Sequence, residues 1–485
     1  MYVWRFDIVT GAERAAQVPA KAGALKGKLL SGRGVVLPVD PGYDAARKTY
    51  NARFDALHPW AVVYCNAEED VATCLEVARV LGLPFRVRSG GHSFGGYSSI
   101  DDGLVIDVSG LNNIRFDPDR FEMTVGSGTK MKQLGAALGD RRLLPIGGDP
   151  VGVAGYVQGG GFGATSRTLG MNSDNVLAVW VMLADTRVVY ASKTVNHDLW
   201  WAMRGGTGGN FGVLLDVRYG VHAATEQHDW QFAWPLLEAA DIDTAAKALA
   251  ILQDVVLPKA GPGFNAAADI RRWPERNGGE PATLRLFMWG TYFGSKSDLD
   301  VLIKPLDDIP GQRPFAQTQS AKMPVLRQSR FVSRLGGPDW RTLVQDFADH
   351  ANPHSTLTLN AWGGAIGSFP LDDSAFIHRS AEFNLYVTGF WQSLAEEQQM
   401  QGYLQRWRDF IAPFWTGGVF QNFADPDCPD YRKSYWGSAF PALLAVKAKY
   451  DPAQLFRFAQ VIEGLTQPVA GPPLVKQWLA RPIEA

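Results

Sequence analysis

Apolar positions in residues 67–84 (AEEDVATCLEVARVLGLP) recur at helical spacing. Leu75, Val77, Ala78 and Leu81 gather on one side of a predicted amphipathic helix that Gly82 and Pro84 stop. Downstream the period shortens. Short β-branched runs (FRVR, LVIDVS, VWVML, FGVLLDVRYGV) alternate with glycine turns such as SGGHSFGG, which predicts strands with occasional helices. From about residue 226 to about 410 the runs become aromatic and alternating: WQFAW, LRLFMWGTYF, LTLNAW and FNLYVTGFW, with helical segments between them. That texture predicts an antiparallel sheet with helices on one face, a separate domain. Beyond about 411 comes polar loop sequence (QNFADPDCPDYR), then a predicted helix, FPALLAVKAKY, stopped by DPAQLF. The expected class is α+β, divided into residues 1–225, 226–410 and 411–485.

Composition narrows the function classes. A chain of 485 residues exceeds what one hydrophobic core supports, so two or more domains are expected. A net charge of −2 gives no electrostatic reason for a nucleic-acid or membrane-surface partner. Cys65, Cys74 and Cys428 are too few and too scattered for a disulfide framework or a zinc site, which fits a reducing, cytoplasmic compartment and predicts no metal. The opening MYVWRFDIVTGAERAA carries Arg5, Asp7 and Glu13 and lacks the apolar core of a signal peptide. No run approaches the roughly 20 apolar residues of a membrane-spanning helix.

Chemistry concentrates in three glycine-rich motifs. The first runs from Arg86 through Arg88, Ser89, Gly90, Gly91, His92 and Ser93 to Gly96, directly after a predicted strand. Successive small residues let backbone N–H groups converge on an anion such as a pyrophosphate, and they hold the imidazole at the loop tip against whatever is gripped. The second spans Gly147 to Gly163, with Gly148, Gly152, Gly155, Gly160 and Gly161 among its glycines. Such density implies close backbone approach, to a flat ring system for example, and its spacing matches neither GxGxxG nor a P-loop. The third, Asp198 to Val213, is another glycine loop leading into a strand and suits a second contact with an extended cofactor.

In this order and spacing the three motifs resemble the berberine bridge enzyme-like branch of the vanillyl-alcohol oxidase (PCMH-type) flavoproteins. The tail agrees, in Tyr435-Trp-Gly437, Val446 to Pro452, and Phe456-Arg457 through Gln460. The resemblance covers about residues 40–462. It implies a two-lobed FAD-binding domain made from both chain ends, a substrate domain between them, and FAD bound through a single 8α-N-histidyl bond to His92. The backbone of Ser89–Ser93, with Arg88, would cradle the pyrophosphate. Gly152, Val153, Gly155, Tyr156, Gly160, Gly161 and Gly163 would run past the flavin and ribityl chain. Asp174, Asn175, Gly212 and Val213 would lie towards the adenine, and Asn422 near the ribityl chain.

Departures from the family pattern also carry information. Gly148 stands where many members have a second linking cysteine, so a bicovalent flavin is excluded. Tyr156 replaces a histidine thought to stabilise reduced flavin; it donates one hydrogen bond but cannot become cationic. Phe420 replaces a tyrosine, so that position cannot supply the base.

Hydride removal needs a group that takes a proton. The runs Thr358 to Trp362 and Asn384 to Thr388 alternate, and each places a polar set on one strand face. Tyr386 is the leading acid/base candidate, with Asn384 and Asn360 orienting substrate and Tyr97 a lesser candidate. No carboxylate occurs in those runs, and His378-Arg379 reads as structural. Trp230, Trp234, Trp289, Trp362 and Trp391 either form an aromatic pocket, stack on sugars or fill the core. The expected function is an oxidase acting on a small organic alcohol, amine or hydroxylated metabolite, with O2 as acceptor. Competing readings are a carbohydrate oxidase, a dehydrogenase using another acceptor, and a flavin-bearing binding protein.

Overall fold

The computed structural model describes residues 34–273, 283–313 and 322–463. The leader reading at the N-terminus and the outermost parts of the first and last expected segments lie outside the described residues.

The helix Glu68–Leu81 forms where the periodicity predicts it, burying Val71, Cys74, Leu75, Val77 and Ala78. Gly82, at φ +62°, closes it in the left-handed conformation that glycine adopts without strain. It packs on a small sheet ordered Val35–Val36, Ala61–Tyr64, Leu104–Asp107, Phe85–Arg88, whose last three strands run parallel. Beside it stands a five-stranded antiparallel sheet ordered Ile114–Asp117, Glu122–Gly126, Val213–Gly220, Val176–Met182, Val188–Ser192.

The aromatic region forms a six-stranded antiparallel sheet. Its order is Gln227–Pro235, Thr283–Phe293, Ala267–Trp273, Thr356–Ala361, Phe383–Phe390, Val325–Val332. One face is apolar: Leu286, Ile270, Leu359 and Leu385 bury against the helices Ala239–Ile251, Gly337–His350 and Leu394–Ile411. Because strand side chains alternate, the opposite parity points away from those helices, and it is largely polar. Trp230, Trp234 and Trp391 belong to the helix-side core, which decides three of the five tryptophans against a pocket.

The chain then returns to the first lobe. Helices Tyr431–Trp436 and Phe440–Tyr450 contribute Trp436, Leu443, Val446 and Tyr450 to the core beneath the five-stranded sheet. The buried Lys447 amine locks this return, donating to Asn210 O at 2.7 Å and Phe456 O at 2.7 Å and pairing with Asp451 at 2.6 Å. Among the described residues no helix is long and apolar enough to cross a membrane. No three His, Cys, Asp or Glu of those residues gather as they would around a metal ion.

Candidate active site

The strand Phe85–Arg88 delivers the first glycine loop to the edge of a cavity of about 450 Å³. That volume falls within the roughly 300–1,000 Å³ usual for cofactor and ligand sites. Ser89, Gly90, Gly91, His92 and Ser93 all line it. Gly90 and Gly152 meet backbone to backbone, so a Cβ on either would run into the other's main chain. This close approach brings the first and second glycine motifs together.

His92 stacks on Tyr50 with ring centroids 3.8 Å apart and meets Phe94 edge-on at 5.4 Å. Burial, aided by the Arg327 cation, pushes its pKa down to about 4. The imidazole is therefore neutral at physiological pH and keeps a free nitrogen lone pair.

The second motif folds as the short helix Val153–Gln158, and Gly152, Gly155 and Tyr156 face the cavity. Asn422, from the returning chain, also lines it; its amide accepts from Gly161 N at 2.9 Å and donates to Gly155 O at 2.9 Å. Four lining residues carry buried polar atoms with no protein partner: Tyr97 Oη, Tyr156 Oη, Gln158 Oε1 and Gln421 Oε1. These atoms are available to hydrogen-bond a polar ligand held in the cavity.

Other expected cofactor residues stand elsewhere. Arg88 pairs with Asp107 on the neighbouring strand. Val153 turns into the core, away from the cavity wall. Gly160, Gly161 and Gly163 lie behind the lining: Gly160 packs against Phe376, Gly161 against Tyr156, and Gly163 against the Ile146 backbone. Asp174 binds the Arg379 guanidinium through two contacts of 2.7 Å, with Arg204 at 3.9 Å. Asn175 meets His222 Nε2 at 2.6 Å. Gly212 is packed tightly against Val181 and Met182, and Val213 is core. In this structure ion pairs, a hydrogen bond and strand packing engage the side chains of the positions carried over towards the adenine. Arg379 is structural as expected, and His378 is enclosed beside Phe331, at 4.4 Å, and Phe376.

Among the catalytic candidates, Tyr97 lines the cavity, its ring 5.1 Å from Phe458. Tyr386 stands at the rim, 4.9 Å from the Phe423 ring, with the Arg327 guanidinium 4.8 Å above its own; Phe423 and Arg327 are both lining residues. Asn384 and Asn360 are opposite one another on adjacent strands, and Asn384 Oδ1 accepts from Ser329 Oγ at 2.6 Å.

Register shows what the strand runs alone do not. Asp269 pairs with Thr358, and Thr358 pairs with Tyr386, in one row across three strands. The Thr358 hydroxyl donates to Asp269 Oδ1 at 2.6 Å, and Trp289 Nε1 to Oδ2 at 3.1 Å. Burial raises the Asp269 pKa, opposed by Thr358, Trp289, Arg271 and Arg327. Burial likewise raises the Tyr386 pKa, against the pull of Arg327. The carboxylate absent from the two runs comes from a third strand. Arg327, Gln158 and Gln421, which also line the cavity, were not singled out; the alternation of Arg327 and Ser329 in VLRQSRFV was the available signal for one of them.

Two family models match the chain: an FAD binding domain over residues 59–192, and "Berberine and berberine like" over 419–463. The FAD-linked oxidoreductase YvdP of Bacillus subtilis is 31% identical over 456 residues, covering 89% of this chain and 98% of the relative. This chain belongs to the berberine bridge enzyme-like family of FAD-linked oxidoreductases. Glucooligosaccharide oxidase of Sarocladium strictum is 25% identical, over 86% of this chain and 89% of that protein. Among solved structures, Physcomitrella patens BBE-like 1 superposes with a TM-score of 0.79 at 25% identity, over 90% of this chain and 99% of its own.

The cavity fits the family's cofactor. Its backbone-lined glycine loops admit a flat ring, Arg86 and Arg457 bring positive charge for a pyrophosphate, and the four unpartnered polar atoms suit flavin edges and ribityl hydroxyls. For this berberine bridge enzyme-like chain, Gly148 is informative too: a Cβ there would meet nothing within 4 Å, so room for a second linking side chain exists and glycine leaves it unused.

Proposed function

We propose that the protein is an FAD-dependent oxidase that removes a hydride from a small organic molecule bearing an alcohol, amine or hydroxylated ring, and returns the electrons to O2. The observation that carries this reading is the meeting of two features at one cavity: a neutral His92 in the glycine-loop wall, and the polar face of the six-stranded sheet at the rim beside it. In support, relatives with this chain's full-length similarity include proteins named glucooligosaccharide oxidase and chitooligosaccharide oxidase. The proposed division is an FAD-binding lobe from residues 1–225 and 411–485, with 226–410 holding substrate. The three cysteines, all free and buried, suit a cytoplasmic location.

FAD would supply the hydride acceptor. His92 would hold it through its neutral imidazole nitrogen, and Arg86, Arg457 and the Ser89–Ser93 backbone would take the pyrophosphate charge. Tyr156, kept neutral by burial, would donate a hydrogen bond without adding charge. The substrate proton would pass along the Tyr386–Thr358–Asp269 row. Tyr386 oxygen accepts it while giving its own proton to Thr358, which gives its proton to Asp269. The two pKa directions suit these ends: a phenol with a raised pKa stays protonated at working pH and so passes a proton on, whereas a raised carboxyl moves towards working pH as the proton's final acceptor. Asn384 and Asn360 would orient the substrate, and Tyr97 would close the far wall.

Rapid mixing of anaerobically reduced protein with oxygenated buffer tests the acceptor. The oxidase reading expects reoxidation within seconds and one H2O2 per flavin; reduced flavin that persists for minutes in air makes the protein a dehydrogenase.

A further inference from the structure

Arg327 is a half-buried cation that the protein surrounds with rings and that has no counter-ion among the described residues. Its guanidinium carbon lies 4.1 Å from the Phe94 ring centre, 4.4 Å from Phe423 and 4.8 Å from Tyr386. Nε donates to the Thr388 hydroxyl at 2.9 Å. Among the described residues no carboxylate pairs with it; Asp269 acts on it only at longer range, after Tyr386 and Tyr50. Aromatic faces make a desolvated guanidinium tolerable, but they do not accept its remaining N–H groups. A cation ringed by aromatic faces at a cavity wall is a docking point for a group of opposite sign.

The position of the side chain says where that partner comes from. Arg327 lines the cavity, within Coulomb range of His92, and stands over the ring of Tyr386. With Nε engaged by Thr388, the free edge is the pair Nη1 and Nη2. Those two donors match the two oxygens of a carboxylate, the geometry for which arginine is suited above lysine.

From this cage, resting on the flavin-site reading above, we infer that the substrate is an organic acid whose carboxylate is taken by the Nη edge of Arg327. Because the guanidinium stacks on the Tyr386 ring, a substrate that meets both side chains would carry its carboxylate close to the oxidised carbon. Neutral sugars and alcohols of the same shape would leave the cation unpaired, so the site discriminates against them.

The test uses flavin-loaded protein and three isosteric acid–amide pairs: acetate with acetamide, benzoate with benzamide, and 3-phenylpropionate with its amide. Binding is read from the visible flavin spectrum of wild type, R327K and R327M. The expected result is that at least one acid binds about 10- to 100-fold more tightly than its amide, the range of a lost charged hydrogen-bonded pair. The preference vanishes in R327M and survives in part in R327K. Equal binding of acid and amide in all three pairs, binding of neither, or a preference unchanged in R327M overturns the inference. Loss of flavin from both variants overturns it too, by assigning Arg327 to the cofactor. Wild type without flavin would instead sink the reading on which the inference rests. Light-driven flavin reduction, unchanged in R327M, confirms that the remaining site is intact.

Discussion

Asp269 carries the chemical argument at the scale of single residues. It sits on a strand whose sequence, AADIRRW, gives no sign of catalysis, and its proposed role rests on hydrogen bonds to Thr358 and Trp289. Burial raises its pKa above the ~3.9 of an ordinary aspartate, so its base form appears at higher pH than usual. Activity is therefore expected to rise with pH through that raised value. Asp269→Asn should lower kcat/KM by about 10²–10⁴-fold and abolish the rising limb, while the flavin spectrum is unchanged. A variant that keeps both the rate and the limb would move the proton's destination elsewhere. Asp174 also has partners that sequence position cannot reveal: its carboxylate is paired with Arg379 and Arg204.

The elements divide into those whose signals are local and those whose meaning depends on partners. The helix Glu68–Leu81, the glycine loops and the alternating aromatic strands were legible because periodicity and glycine chemistry are written within a few residues. The row from Asp269 to Tyr386 was not, because it joins strands far apart along the chain, at positions 269, 358 and 386, and only register places them side by side. Arg327 escaped for the same reason: its cage draws on Phe94, Tyr386 and Phe423, from three distant segments. One contact ties these elements to the His92 loop. The buried Asn51 amide donates to Phe94 O at 3.1 Å and Val325 O at 2.8 Å, and accepts from Val325 N at 3.0 Å. Asn51→Ala would leave those backbone groups unpaired and is expected to cost about 1–3 kcal/mol, read as a lower urea midpoint. Activity should fall further than stability, because the loop and the Arg327 strand lose their common clamp. A midpoint within error of wild type would show that the junction holds without it.

At the scale of the molecule, segments 123–221 and 419–462 share one core, and the six-stranded sheet turns its polar face to the side where the cavity opens. Sequence resemblance located the loops and the family; the fold adds which of the carried-over residues line this cavity. The arrangement has its purpose only if a flavin is fixed at the His92 end, where burial keeps the imidazole neutral and Arg327 and Tyr386 stand close by. The most direct test is the intact mass of the acid-unfolded protein, followed by mapping of its peptides. The account predicts one polypeptide heavier by one FAD less two hydrogens, with the added mass on the peptide that contains His92. Bare polypeptide, with all the flavin recovered in the filtrate, would contradict it.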